Sequence, residues 1–160
     1  MLAKEGKPEN YDEIKELLKK YKNNIYLPID FAEQSNTNRN EIDVSQLPTN
    51  YNLFDIGEKS INKFKDVISD AKTVFLSGPC GVFENPTFMK GTQEIFSYVA
   101  NTDIFSIVGG GHTVAAIEKL GLENKISHIS TGGGSLEKFM MGEKLPVVEA
   151  LKAAKDRKKQ

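Results

Sequence analysis

A single cysteine, Cys80, stands among the 160 residues. No internal disulfide can form, and a reducing, cytoplasmic compartment is the expectation that follows. Long apolar runs are missing as well. Nothing approaches the ~20 residues of a membrane span, and no secretory leader is visible. Neither charge sign prevails, since 21 basic against 22 acidic side chains leave a net charge of -1. That balance leaves no electrostatic footprint for nucleic acid or a membrane surface. Internal repeats and low-complexity tracts are absent. Metal-ligand spacings are absent too: neither His112 nor His128 falls at such a spacing with Cys, Asp or the other His, so no metal held by protein ligands is expected.

What remains is an ordinary globular composition, 39% hydrophobic and 27% charged, at a length that fits one domain. The spacing predicts a helix over Tyr11 to Tyr21, with Ile14, Leu17, Leu18 and Tyr21 on one face. A short strand is expected at Ile25 to Ile29, a polar loop at Gln34 to Asn40, and a brief extended segment at Glu41 to Val44. Tyr51 to Ile56 reads as a buried strand ending at Gly57. Helix (58–71), strand (73–76), helix (88–99), strand (104–108), helix (113–120), strand (126–129) and helix (136–141) then follow, and Pro146 opens a last short helix. Strands alternating with helices imply right-handed crossovers and an α/β fold. Its expected form is a Rossmann-like parallel sheet covered by helices on both faces. In such sheets ligands sit beyond the carboxyl ends of the strands.

Two glycine triplets fall at those ends, Gly109-Gly110-Gly111-His112-Thr113 and Ser130-Thr131-Gly132-Gly133-Gly134. Each follows a β-branched run and opens a helix. Glycines remove the Cβ that would keep an anion away from backbone N–H groups, and the helix dipole adds partial positive charge there. One such turn is as readily a tight strand-to-helix connection that binds nothing. Two on one sheet edge favour a polyphosphate. Common nucleotide signatures are lacking: there is no Gly-x-x-x-x-Gly-Lys-Ser/Thr, and Gly109-x-Gly111-x-x-Val114 lacks the small third residue of the dinucleotide fingerprint.

Upstream, Gly78-Pro79-Cys80-Gly81-Val82-Phe83-Glu84 fixes a rigid turn. Pro79 and Val82 can wall a base, and Glu84 can accept hydrogen bonds from ribose hydroxyls or remain a solvated carboxylate. Cys80 reads as a small packed residue with nothing near to activate it. His112 sits at a helix N-terminus, where the neutral ring can donate to a phosphate. His128 reads as a satisfied strand-end side chain. The tail Lys155-Asp156-Arg157-Lys158-Lys159 reads as a solvated terminus.

Taken in order, these segments resemble a known family. With Leu27-Pro28-Ile29-Asp30, Asp55-Ile56-Gly57, Phe88-Met89-Lys90-Gly91-Thr92 and Leu145-Pro146, they are similar to the C-terminal, nucleotide-binding lobe of phosphoglycerate kinase from about Ile25 onward. The Gly-Gly-Gly-His-Thr form is similar to the archaeal branch. The resemblance implies that Glu84 holds the nucleotide ribose, and that Pro79, Val82 and Phe54 wall the adenine. It implies that Gly110, Gly111, His112 and Thr113 lie over the nucleotide phosphates. Thr131 would then contact phosphate, and the backbone of Gly132, Gly133 and Gly134 would stabilise the transferring phosphoryl group. The implied reaction moves the acyl phosphate of 1,3-bisphosphoglycerate to ADP, reversibly, giving 3-phosphoglycerate and ATP, with Mg²⁺ held by the nucleotide.

Two positions depart from the family pattern. Ser77 replaces an asparagine that contacts nucleotide, and His112 replaces an acidic residue that helps place the metal. The family's arginine-rich N-terminal lobe, which takes phosphoglycerate, has no counterpart here, nor do the first strands of the C-terminal lobe. The expectation is one incomplete lobe over 1–160: a leading helix (1–24), sheet and helices (25–154) and a basic tail (155–160). It would bind ADP or ATP, be inactive alone, and meet phosphoglycerate only through the missing lobe. The alternatives are a stand-alone nucleotide- or anion-binding module without catalysis, or a piece whose exposed sheet edge drives self-association.

Overall fold

The computed structural model of the protein describes residues 8–157. The chain divides into two compact units. One takes the positions up to Val67 together with Cys80–Gly91; the other takes Ile68–Pro79 together with the positions from Thr92 onward. The first seven positions of the expected leading helix, and the last three of the basic tail, lie outside the described residues.

In the first unit, helix α1 (Pro8–Lys20) forms where its spacing predicts. Its apolar face is largely exposed, Tyr11, Ile14, Leu17 and Tyr21 included, while Leu18 is half-buried. The expected strand at Ile25–Ile29 does not form; the first ladder begins at Asp30. Pro28 has no N–H to give to a ladder, and the N–H of Ile29 donates instead to Ser60 Oγ at 2.9 Å.

The polar stretch expected as a loop is a hairpin. Strands β1 (Asp30–Ser35) and β2 (Asn38–Asp43) pair antiparallel, with Asn36 in the left-handed region (φ 55) at the turn. Strand β3 (Leu53–Ile56) pairs antiparallel with β1, giving the order β2-β1-β3. These strands carry carboxylates inward, and each has partners. Glu33, buried, accepts from Asn40 Nδ2 at 3.0 Å and from the Thr49 hydroxyl. Helix α2 (Glu58–Ser69) follows β3 and buries Ile61.

In the second unit, β4 (Thr73–Ser77), β5 (Phe105–Gly109) and β6 (His128–Ser130) form a parallel sheet in that order, flanked by helices. Helix α3 (Lys90–Ala100) buries Ile95, Phe96 and Val99. It begins two residues later than the periodicity suggested, because Pro86–Phe88 forms a separate 3-10 turn capped by Asn85. Helices α4 (Gly111–Lys119), α5 (Gly133–Met140) and α6 (Pro146–Arg157) complete the unit. Val108, Ala116 and Ile117 are almost completely buried between sheet and helix. Among the described residues no helix is long and apolar enough to cross a membrane.

Candidate functional site

The parallel register sets the site. Ser77 pairs with Gly109, and Gly109 with Ser130. Each is the last residue of its strand, so three carboxyl ends stand in one row and the three turns leave the sheet level with one another. β-branched and aromatic residues fill the strands up to that row, and glycine or proline follows closely beyond it.

Glycine is required at this row for stated reasons. Gly78 and Gly110 adopt φ +93 and +92, a region that a side chain rarely tolerates. Gly133 meets a different constraint, because a Cβ there would lie 3.0 Å from Gly110 Cα and 3.2 Å from its N. The two triplets predicted from sequence are thus in backbone contact. Gly109 is packed under Leu136 and Phe75, within 2.9 and 3.1 Å of where its Cβ would be.

The helices that open here are uncapped by side chains. Gly110 is the N-cap of α4 and Gly132 that of α5, and neither helix start has a side-chain cap. The first ladder bonds run from Val114 N to Gly110 O and from Leu136 N to Gly132 O. The N–H groups of residues 111–113 and 133–135 therefore lie outside their helices' own ladders. Two other helix starts are treated in the opposite way. Asp30 accepts from Lys59 N (2.9 Å) and Ser60 N (2.7 Å) at the start of α2. Asp55 accepts from Gly91 N (2.9 Å) at the start of α3. Those two N-termini already hold an internal carboxylate, whereas the N-cap residues of α4 and α5 give no side-chain cap. An anion at each bare N-terminus is worth roughly 0.3–1 kcal/mol, up to about 2 where partly buried.

Side chains at the row divide by role. His112 is exposed at the start of α4, and Thr131, Gly132 and Gly134 are exposed at the start of α5. Thr113, expected over phosphates, is almost completely buried, and its Oγ accepts the Gly78 N–H at 2.7 Å. Ser77 Oγ donates to Glu137 Oε1 at 3.2 Å, a link between β4 and α5 that sequence spacing did not reveal. His128 is exposed in β6 and pairs in register with Ile107.

In the first unit, the 80–91 segment is a compact loop. Val82 N donates to Phe54 O at 2.8 Å, joining two of the expected base-wall residues, and the Phe54 ring packs on Phe88 with centroids 5.2 Å apart. Phe83 and Phe88 are buried beneath, while Val82 and Glu84 face outward. Gly81 must be glycine here, since a Cβ would stand 2.7 Å from Phe54 O. Cys80 is packed as expected: burial first, then the nearby Asp55 charge, push its thiol up to about 11. In the second unit, Pro79 is half-buried where the Gly78 turn ends.

Sequence reasoning missed Arg39. Its guanidinium meets Asp55 at 2.8 Å, the Ile56 carbonyl at 2.9 Å and Glu41 at 3.1 Å, holding β2 to β3 beneath the loop. The only signal was an arginine in a run of asparagines, which reads as a turn. Among the described residues no group of three or more His, Cys, Asp or Glu side chains is placed to hold a metal.

The family described as phosphoglycerate kinase matches residues 2–143. The chain belongs to the phosphoglycerate kinase family. It is 42% identical to the phosphoglycerate kinase of Methanococcus maripaludis over 99% of its length, and 46% identical to that of Lactobacillus helveticus over 86%. Its fold is similar to the crystal structure of phosphoglycerate kinase from Pyrococcus horikoshii, with TM-score 0.85 and 36% identity over 97% of the chain. The Coxiella burnetii enzyme gives TM-score 0.81 at 31% identity over 89%. The chain spans 39% of the M. maripaludis protein, 35% of the L. helveticus protein and 39% of the chain in each solved structure.

Proposed function

We propose that this chain supplies the nucleotide-holding part of a phosphoglycerate kinase, which transfers a phosphoryl group reversibly between 1,3-bisphosphoglycerate and ADP. The observation that carries the reading is the pair of bare, glycine-opened helix N-termini at one row of strand ends, beside helix starts elsewhere that are closed by aspartate. Acyl-phosphate transfer asks for positioning and charge stabilisation more than covalent catalysis. Backbone N–H groups on a rigid sheet edge provide both.

In this reading Gly110, Gly111 and His112 face the nucleotide phosphates, and the backbone of Gly132, Gly133 and Gly134, with Thr131, faces the phosphoryl group in transit. By the family resemblance, Glu84 takes the ribose hydroxyls and Phe54, Pro79 and Val82 the base. By the same resemblance, Mg²⁺ would come with the nucleotide, held chiefly by its phosphates. Bound so, it neutralises charge on the phosphates. Phosphoglycerate would be held by the part of the family fold that this chain does not span.

Calorimetric titration with ADP–Mg tests the reading, comparing the chain with its Glu84→Ala variant. Micromolar affinity that falls about tenfold on substitution, the worth of a charge-assisted hydrogen bond, supports it. Binding unaffected by Glu84→Ala sinks the ribose assignment. Phosphoryl transfer is expected to be undetectable with this chain alone, and turnover without an added segment would overturn that expectation.

A further inference from the structure

We propose that Thr113 is a positioning residue whose hydroxyl fixes the Gly78–Pro79 turn against the first turn of α4, and is not itself a phosphate ligand. The inference rests on the nucleotide reading above and changes the role that the family resemblance implied for this residue. Three observations carry it. The side chain is almost completely buried, at 1% exposure, so its oxygen does not face a ligand at the surface of the row. That oxygen is engaged, accepting the Gly78 N–H at 2.7 Å across 35 residues of sequence. Gly78 itself has φ +93, and no heavy atom lies within 4 Å of where its Cβ would stand.

Thr113 Oγ also lies beside the neighbouring turn, 3.5 Å from where a Cβ on Gly110 would stand. A side chain at the third helical position commonly folds back onto its own N-cap. Here it reaches a different strand. Ser77 and Gly109 are paired at the row, so the residues just beyond them, Gly78 and Gly110, are the two ends that one hydroxyl can join. Gly110 in turn abuts Gly133. One buried oxygen thereby ties the β4 turn into the contact between the two glycine triplets. The backbone N–H groups of α4 are left to meet the anion.

The test uses the 160-residue chain with Thr113→Val, which keeps the shape and removes the hydroxyl, and Thr113→Ser, which keeps the hydroxyl. Amide hydrogen exchange at Gly78 reads the tie directly, and calorimetry with ADP–Mg reads its consequence. We expect a protected Gly78 amide that exchanges about tenfold faster in Thr113→Val, with ADP–Mg affinity about tenfold weaker and both restored in Thr113→Ser. An unprotected Gly78 amide in the wild type overturns the inference without any variant. So does unchanged Gly78 exchange in Thr113→Val, or wild-type ADP–Mg affinity in a variant whose Gly78 is exposed. Absence of ADP–Mg binding by the wild type overturns the nucleotide reading instead, and Gly78 protection then still decides the tie.

Discussion

The backbones of Gly133 and Gly110 pack so closely that a single β-carbon on Gly133 would come within 3.0 Å of Gly110 Cα. The two glycine turns are therefore one structural object, and crowding one displaces the other. Gly133→Ala is expected to destabilise the chain by about 1–3 kcal/mol, the usual cost of overpacking against backbone that cannot swing away. Urea denaturation measures it; an unchanged midpoint would mean that the turns are free to part.

Gly111 and Gly134 stand in the opposite situation. Both lie in the first turn of a helix, and no heavy atom falls within 4 Å of where a β-carbon would stand. Alanine at either site should leave stability unchanged or raise it by about 0.5–1 kcal/mol, because alanine loses less backbone entropy on folding. If phosphate oxygens approach these N–H groups, Gly111→Ala weakens ADP–Mg binding and Gly134→Ala weakens ATP–Mg binding, each by roughly tenfold, since an anion contact here is worth up to about 2 kcal/mol. Wild-type affinity in both variants would show that no anion comes close at either glycine.

Asp55 is the buried pivot of the first unit. Its carboxylate accepts from Arg39 Nη1 at 2.8 Å, from Ile56 N at 2.9 Å and from Gly91 N at 2.9 Å. Asp55→Ala leaves the guanidinium and two amides without that partner, and a loss of about 3–5 kcal/mol is expected. Chemical denaturation of the variant should show an early transition or none, and a loss below about 1 kcal/mol would contradict the buried-pair account.

The Cys80 thiol should be inert at neutral pH. Its ordinary value of 9.0 rises to about 11 through burial and the Asp55 charge, which leaves on the order of a hundredfold less thiolate than an exposed cysteine. Thiol-specific reagents at about pH 7.5 should label the native chain far more slowly than the urea-unfolded chain. The sign for stability follows. The folded state holds its proton more tightly, so below pH 9, with the thiol protonated in both states, stability is undiminished, and the fold loses stability as pH rises from 9 through about 11, where the unfolded thiol ionises first. Equal labelling rates for native and unfolded protein would refute the shift.

Legibility in the sequence differed between the two units, for a physical reason. In the second unit the strands are short apolar runs stopped by glycine, and the helices carry a clear 3.6-residue period; Ile95, Phe96 and Val99 are buried as their spacing predicts. Hydrophobic patterning fails over residues 30–43, where the strands read Asp-Phe-Ala-Glu-Gln-Ser and Asn-Arg-Asn-Glu-Ile-Asp. Buried Asp30 and Glu33 are stabilised there by hydrogen bonds from distant residues. Such strands look like a loop to any reading based on apolar alternation.

Sequence by itself determined where the two helices open without a β-carbon. Lacking a β-carbon is a local property, so the glycines at 109–111 and 132–134 mark the two helix starts before any contact is known. Tertiary structure decided how those starts are arranged. The row is level only because Ser77, Gly109 and Ser130 fall in register through hydrogen bonds between strands far apart in the chain. Thr113, buried, accepts the Gly78 N–H only because Gly78 is brought beside it. Register and burial depend on partners across the fold, and no spacing along a single chain encodes them locally.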